Sequence, residues 1–537
     1  MGTLGFWRLA QADPGWVAAV DPDGTEHRAG DLLARANRLV HALRGLGLKA
    51  GDGVCGLVPN GSDGLTLYLA ALQAGWYYTP INWHLTGPEI GYIVADSEAR
   101  AFFVHERYAE EGLRGAAESG IAPDRVFAFG RTEAFGRAEG ARVEGVRVEG
   151  ARAEGVRSVA ELTEGQPDTA PAGRTAGATM HYTSGTTGRP KGVRRPLSGL
   201  DPDDGAELMT FLLTLFGITP GGGNVHLVTS PNYHTAVTQF GGTALQMGHT
   251  LVYMDRWDAE EMLRLCEKYR VTNSHMVPTH FKRLLALPAD VRSKYDLSSL
   301  RWMIHAAAPC PVPVKWAMLE WWGDCVYEYY AATEGGGTIA TPEGWRSHPG
   351  TVGTAWPISE LLVVDENLEP VPTGTPGTIY MKMMGVQFEY KGDPAKTEAN
   401  RLRDHFTVGD IGYLDEEGYL FLCDRKADMI ISGGTNIYPA EIENELMVHP
   451  KIADVAVFGI PDDEWGEQIK AVVEPAAGVV PSPELAAELI ESLRGRLSRM
   501  KWPKSVDFIA EMPREPNGKL LKRKLRDPYW KGHERAI

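Results

Sequence analysis

The sequence predicts an α/β protein: a large N-terminal part of layered α/β sheets in several subdomains, followed by a small α+β domain at its C-terminal end. Three observations lead there. Apolar runs at helical spacing alternate with short strand-like runs up to about residue 130, the pattern of parallel α/β layers. The middle of the chain, from about Ala178 to Leu422, is rich in glycine and in strand-like runs. A shift in composition follows at Asp424-Arg425-Lys426, and short strand and helix patterns recur beyond it over a stretch long enough for a small domain. The expected division is 1–425 and 426–537.

Each element has a local reason. Leu32, Leu33, Ala36, Leu39, Val40 and Leu43 fall on one helical face, and Gly45 and Gly47 end the run. Residues 52–58 then read as a strand and 65–74 as a helix. Residues 139–158 repeat EGARV-EGVRV-EGARA-EGVRS. A glycine every fifth residue costs about 1 kcal/mol each in a helix, against a few tenths for a Glu–Arg pair. A solvated surface insertion is therefore expected over about 136–158, without chemistry of its own. Residues 177–182 read as one strand. In the last part, 429–432, 454–459, 469–473 and 506–509 read as strands, and 439–448 and 483–497 as helices.

Composition narrows the function classes. Lys and Arg total 54 and Asp and Glu 70 in 537 residues, a net charge of −16. So acidic a chain repels polyanions at long range, which argues against nucleic acid as a partner. The five cysteines (Cys55, Cys266, Cys310, Cys325 and Cys423) form no CxxC pair, so neither a disulfide framework nor a thiolate zinc site is expected. The N-terminal residues lack a basic region followed by an apolar core, and Phe6 breaks the myristoylation pattern. The longest apolar stretch, about 208–218, is too short to span a bilayer. The expectation is a cytoplasmic protein without stable membrane insertion.

The strongest chemical signal is the run Tyr182-Thr183-Ser184-Gly185-Thr186-Thr187-Gly188-Arg189-Pro190-Lys191-Gly192. Its glycines let the backbone approach an anion, its hydroxyls and N–H groups can ring phosphate oxygens, and Lys191 adds a compact positive charge. It is not a Walker A loop, because Pro190 precedes the lysine and Gly192 follows it.

SGTTGRPKG resembles the phosphate loop of adenylate-forming enzymes, the group containing acyl-CoA synthetases, luciferases and the adenylation domains of peptide synthetases. Further elements follow in the family's order: Tyr329-Tyr330-Ala331-Ala332-Thr333-Glu334, Val408-Gly409-Asp410, Asp424-Arg425-Lys426-Ala427-Asp428, Ser432-Gly433-Gly434-Thr435, and Pro516-Asn517-Gly518-Lys519. The resemblance covers roughly residues 20–526. It implies an N-terminal adenylation domain and a mobile C-terminal domain. It implies that Thr183, Ser184, Gly185, Thr186, Thr187, Gly188 and Lys191 hold ATP phosphates, that Tyr330 faces adenine, and that Asp410 and Arg425 serve the ribose or phosphate. The resemblance further implies that Glu334 helps hold Mg²⁺, that Thr333 donates to the α-phosphate, and that Lys519 bridges the two reacting anions. Without the resemblance, Lys519 reads as one of a solvated basic group with Lys522, Arg523, Lys524 and Arg526. His234 matches an element whose histidine lies near the acyl and thiol channel. Tyr233, Ala306, Ala307 and Ala308 resemble the acyl pocket, and Gly433 and Gly434 the passage for CoA.

Three departures accompany the match. Val237 replaces a glycine of the His234 element, Ala331 replaces the glycine before the Thr-Glu pair, and Ala427 stands where many members have Asp or Lys as the hinge. The resemblance implies an acyl-CoA ligase using ATP, Mg²⁺, CoA and an apolar carboxylic acid, as a monomer or homodimer. The alternatives are an amine or carrier-protein acceptor, a ligase proficient in one half-reaction, and a binding protein that keeps the fold without turnover.

Overall fold

A computed structural model describes residues 3–136, 142–143, 146–147, 156–183, 190–221, 223–385, 388–391, 393–425, 428–432, 435–514 and 520–531. The chain packs as two compact units, one of Met1–His275, Lys294–Trp302 and Gln387–Glu398, the other of Met276–Ser293, Met303–Val386 and Ala399–Ile537.

The first unit contains a parallel sheet in the order Ala178–Thr179, Tyr77–Pro80, Gly53–Leu57, Ala99–His105, Val126–Phe129 and Arg157–Ser158. The strand Gly53–Leu57 is buried along its whole length, as expected for a strand covered on both faces. The helix Ala29–Gly45 buries Leu32, Ala36, Leu39, Val40 and Leu43, the face that the spacing marked out. In a second group of strands, Val17–Val20 and Val225–Val228 flank Thr250–Tyr253 in parallel, and Asn273–Met276 continues it through Asn273, Ser274 and His275.

Two expectations change here. Residues 177–182 are not one strand. Ala178–Thr179 joins the parallel sheet, Met180 is buried at the break, and His181–Thr183 starts an antiparallel ladder. The end of the EGxRx insertion is also structured: Arg157–Ser158 adds a strand beside Phe127 and Ala128, and Ser158 opens a short helix through a capping box with Glu161.

In the second unit, Val326–Ala332 pairs in parallel with the strand Trp302–His305 from Met303 onward, then antiparallel with Gly335–Ala340. An antiparallel sheet follows, with Gly377–Met383 between Ser359–Val364 and Asp410–Leu414, and Leu420–Arg425 beyond. The chain ends in a sheet of Thr435–Ile437, Ile430–Ser432, Gly466–Pro475 and Ile452–Asp462, with Ser505–Phe508 parallel to Gly466–Pro475. That sheet has its own apolar core, including Ile430, Ile442, Leu446, Val457, Ile469 and Leu489. The helix expected over 483–497 stops at Glu491: the Ser492 hydroxyl donates back to the Leu489 carbonyl, and Gly495 turns left-handed with φ +77°. No described helix is long and apolar enough to cross a membrane.

Candidate active site

In the first unit His181–Thr183 pairs antiparallel with Lys191–Arg194, and Thr183 is directly opposite Lys191, the two residues that bracket the hydroxyl-rich run in sequence. Ser184, Gly185, Thr186, Thr187 and Gly188 lie outside the described residues. Lys191 Nζ stands 3.4 Å from an Asp393 carboxylate oxygen. The hairpin is braced from its sides: the Tyr182 hydroxyl donates to Asp96 (2.6 Å) and the Tyr92 hydroxyl to the Pro190 carbonyl (3.1 Å). His181 is buried, and desolvation, reinforced by Arg195 and His234, pushes its imidazole down to about 3. It is a neutral part of the scaffold at ordinary pH.

His234 occupies the N-cap position of the helix Thr235–Gln246, with extended backbone angles. Its ring lies 4.4 Å from that of Tyr233, which meets Trp83 edge-on at 4.6 Å, and Trp83 stacks on Tyr108 at 5.7 Å. Tyr233 and His234 are thus brought together in an aromatic wall whose other members, Trp83 and Tyr108, no sequence motif marked. Val237, in place of a glycine, points into the core and is buried.

The second unit gathers the next group. Tyr330 and Asp410 meet through a hydrogen bond from the phenol to the carboxylate at 2.7 Å, and Arg425 Nε lies 3.3 Å from the other Asp410 oxygen. Strand register produces this trio, since Asp410 pairs directly with Arg425. Gly409 turns the chain into Asp410 with φ +84°, a conformation that L side chains adopt only with strain. Burial raises the Tyr330 phenol well above its ordinary value, and the Asp410 charge adds to this while Arg425 opposes it. Tyr330 is therefore a neutral donor. A side chain at Gly337 would come within 2.5 Å of the Tyr330 carbonyl, so glycine there lets the returning strand close on the tyrosine.

Thr333 and Glu334 form the turn between these strands, and Glu334 is only 6% exposed. It is near enough to Tyr330 to raise the phenol's proton affinity further. One buried carboxylate on a tight turn fits Mg²⁺, which takes most of its ligands from phosphate and water. No group of three or more His, Cys, Asp or Glu among the described residues could hold a metal by itself.

Ala306 is buried and donates its N–H to the Met276 carbonyl, while Ala307 adopts φ +73° and is exposed. A non-glycine residue in this region stores strain, of the kind that collects at ligand loops. Beneath the loop lies an ion pair that sequence reasoning missed: Lys315 Nζ donates to Glu328 at 2.7 Å, both side chains are buried, and His305 Nε2 is 3.5 Å from the same carboxylate. Lys315 stands in an apolar helix, the one sequence signal that would have revealed it.

Lys519, Ala427, Gly433 and Gly434 lie outside the described residues. Their neighbours revise the basic run. Lys522 is not solvated: its ammonium is 2.8 Å from Glu443, and both side chains are largely buried. Arg526 reaches Asp428 at 3.5 Å, and Asp424 accepts the Ala440 N–H at 2.8 Å.

Comparison with known proteins gives two family matches, to AMP-binding enzyme over residues 6–390 and to AMP-binding enzyme C-terminal domain over 441–519. A feruloyl-CoA synthase from Amycolatopsis sp. is 33% identical over 531 residues, covering 97% of this chain and 98% of that one. The fatty acid–[acyl-carrier-protein] ligase ScoC from Streptomyces coeruleorubidus is 30% identical over 518 residues, covering 94% and 92%. Among solved structures, ATP-bound MatB from Rhodopseudomonas palustris superposes with a TM-score of 0.82 at 29% identity, over 99% of this chain and 100% of that one.

Proposed function

The chain belongs to the AMP-binding enzyme family, and on that premise we propose that this ATP-dependent, adenylate-forming ligase couples an apolar carboxylic acid to CoA. In the first step a carboxylate oxygen attacks the α-phosphorus of ATP, the bond to the β-phosphate oxygen breaks, and pyrophosphate leaves. In the second, the CoA thiol attacks the acyl carbon, the thiol proton is lost, and AMP departs with the oxygen contributed by the acid.

Two anions meet in the first step, so concentrated positive charge lowers its barrier most. Lys191 and the loop Thr183–Gly188 are assigned to the ATP phosphates, and Lys519 to the junction between carboxylate and α-phosphate. Thr333 donates to the same phosphate. Tyr330 offers its ring to adenine. Asp410 accepts from the ribose hydroxyls, with Arg425 beside it. Mg²⁺, held by Glu334, would supply charge neutralisation on the phosphates. Tyr233, His234 and the alanines 306–308 border the acid, and Gly433 and Gly434 leave room for the pantetheine arm. The division at 425/426, with Ala427 as pivot, lets the C-terminal part present Lys519 for the first step and withdraw it for the second.

The observation that carries the CoA assignment is the full-length likeness to a feruloyl-CoA synthase. The likeness to ScoC favours a second reading, transfer to a carrier-protein thiol. Mass spectrometry of reactions with ATP, a panel of fatty and aryl acids, and either CoA or a phosphopantetheinylated carrier protein decides between them. A CoA thioester is expected. Acyl-adenylate with thioester only on the carrier protein would overturn the CoA assignment.

A further inference from the structure

In the helix Pro278–Leu285, Lys282 turns its ammonium toward the C-terminal sheet. The side chain is 24% exposed; Nζ lies 3.1 Å from the Met447 sulfur and 3.8 Å from Asp454 Oδ1. Asp454 already has other donors. Arg514 binds it with two nitrogens, at 2.6 and 2.8 Å, and the Val455 N–H donates to Oδ1 at 2.9 Å. Arg514 also bridges antiparallel to Leu520, and Leu521 N–H donates to the Pro513 carbonyl at 2.9 Å. Residues 513–514 and 520–521 are therefore the neck of the segment that contains Lys519. At the other end, Met276 just precedes the Lys282 helix and receives the Ala306 N–H. One carboxylate thus joins the neck of the lysine segment to a helix that starts beside the Ala306–Ala308 loop.

We propose that Lys282 is a positioning residue whose weak contact with Asp454 limits the stability of the adenylating pose of the C-terminal part, so that the contact breaks and reforms each turnover. The proposal rests on the assignment of Lys519 to adenylation. The energetics suit a transient contact. The Lys282 ammonium is desolvated, and burial pushes its proton affinity down. Its acceptors are a thioether, which is weak, and a carboxylate whose oxygens already serve Arg514 and Val455. Such incomplete compensation leaves little net attraction. When the contact opens, Asp454 keeps Arg514, so no buried charge is orphaned.

Opposite effects of two substitutions follow. Lys282→Met removes the desolvation cost and places an apolar chain against Met447, so the pose becomes more stable. Lys282→Glu sets a second carboxylate against Asp454, so it becomes less stable. In Lys282→Glu, adenylation measured by pyrophosphate exchange should fall about tenfold or more, with thioester formation from supplied acyl-adenylate within about twofold of wild type. In Lys282→Met, adenylation should stay within about twofold while the thioester step slows about threefold or more. Fluorescence transfer between labels at the exposed positions Asp290 and Val480 reports the pose separately from chemistry; transfer should change in opposite directions in the two variants. Parallel loss of both half-reactions in both variants, or identical transfer in all three proteins, would overturn the proposal. Lys519→Ala run alongside separates the two ideas: if it still adenylates while transfer responds as stated, the Lys519 assignment fails and the Lys282 contact stands.

Discussion

Asp410→Asn is the most informative single perturbation of the proposed nucleotide site. In the free protein the carboxylate accepts from Tyr330 at 2.7 Å and faces Arg425 at 3.3 Å. The Arg425 side chain is 47% exposed, so that ion pair is heavily screened and contributes little. The Tyr330 bond is better shielded, and a hydrogen bond to a charged acceptor is worth about 1.5–3 kcal/mol against about 1 for a neutral one. Asparagine keeps one acceptor oxygen for Tyr330 but turns a donating NH₂ toward Arg425 and the ribose hydroxyls. Weakening one ribose bond and misdirecting another removes roughly 2–3 kcal/mol of ATP binding, about a 30- to 150-fold rise in the apparent KM for ATP. The assay is pyrophosphate exchange at varied ATP and saturating acid, with AMP binding by calorimetry as the equilibrium check. An unchanged KM for ATP beside a raised KM for the acid would refute the ribose assignment.

Lys519→Ala should abolish adenylation while leaving thioester formation from supplied acyl-adenylate nearly intact; equal loss of both steps contradicts domain alternation. Ala427→Pro, by fixing φ at the proposed pivot, should slow one half-reaction selectively, and wild-type rates in both would move the pivot elsewhere. Glu328→Gln strands the buried Lys315 ammonium beside a neutral partner, which should cost about 3–5 kcal/mol and lower the unfolding midpoint in thermal melts; an unshifted midpoint would show that the pair does not stabilise the fold. His181 and His275 have pKa values depressed to about 3 by burial, so the unfolded chain binds more protons between about pH 3 and 6.5. Stability is then full above that window and falls as pH drops through it, by on the order of 2 kcal/mol per histidine at pH 5. His275→Gln should flatten the loss of melting temperature between pH 7 and 5, and an identical slope would show that this imidazole is solvated.

What the sequence made legible was periodic or contiguous. The helix Ala29–Gly45, the buried strand Gly53–Leu57 and the C-terminal strands follow from spacing that a reader can count. The run from Tyr182 to Gly192 is legible as a motif because its residues are adjacent in the chain. What stayed hidden depends on partners far apart in the chain. Lys282 with Asp454 and Lys522 with Glu443 look like ordinary surface charges until the fold brings them together, and Lys315 shows only its apolar helix, not its partner Glu328. The split of 177–182 was equally hidden, because an apolar residue such as Met180 suits the middle of a strand and the break between two.

The account rests on a carboxylate attacking the α-phosphorus of ATP, and oxygen transfer tests that step directly. An acid labelled with ¹⁸O in both carboxylate positions is turned over with ATP and CoA, and the products are weighed by mass spectrometry. AMP carrying one labelled oxygen, together with a thioester retaining the other, is the predicted result. Label in inorganic phosphate with ADP as co-product, or unlabelled AMP, would contradict it.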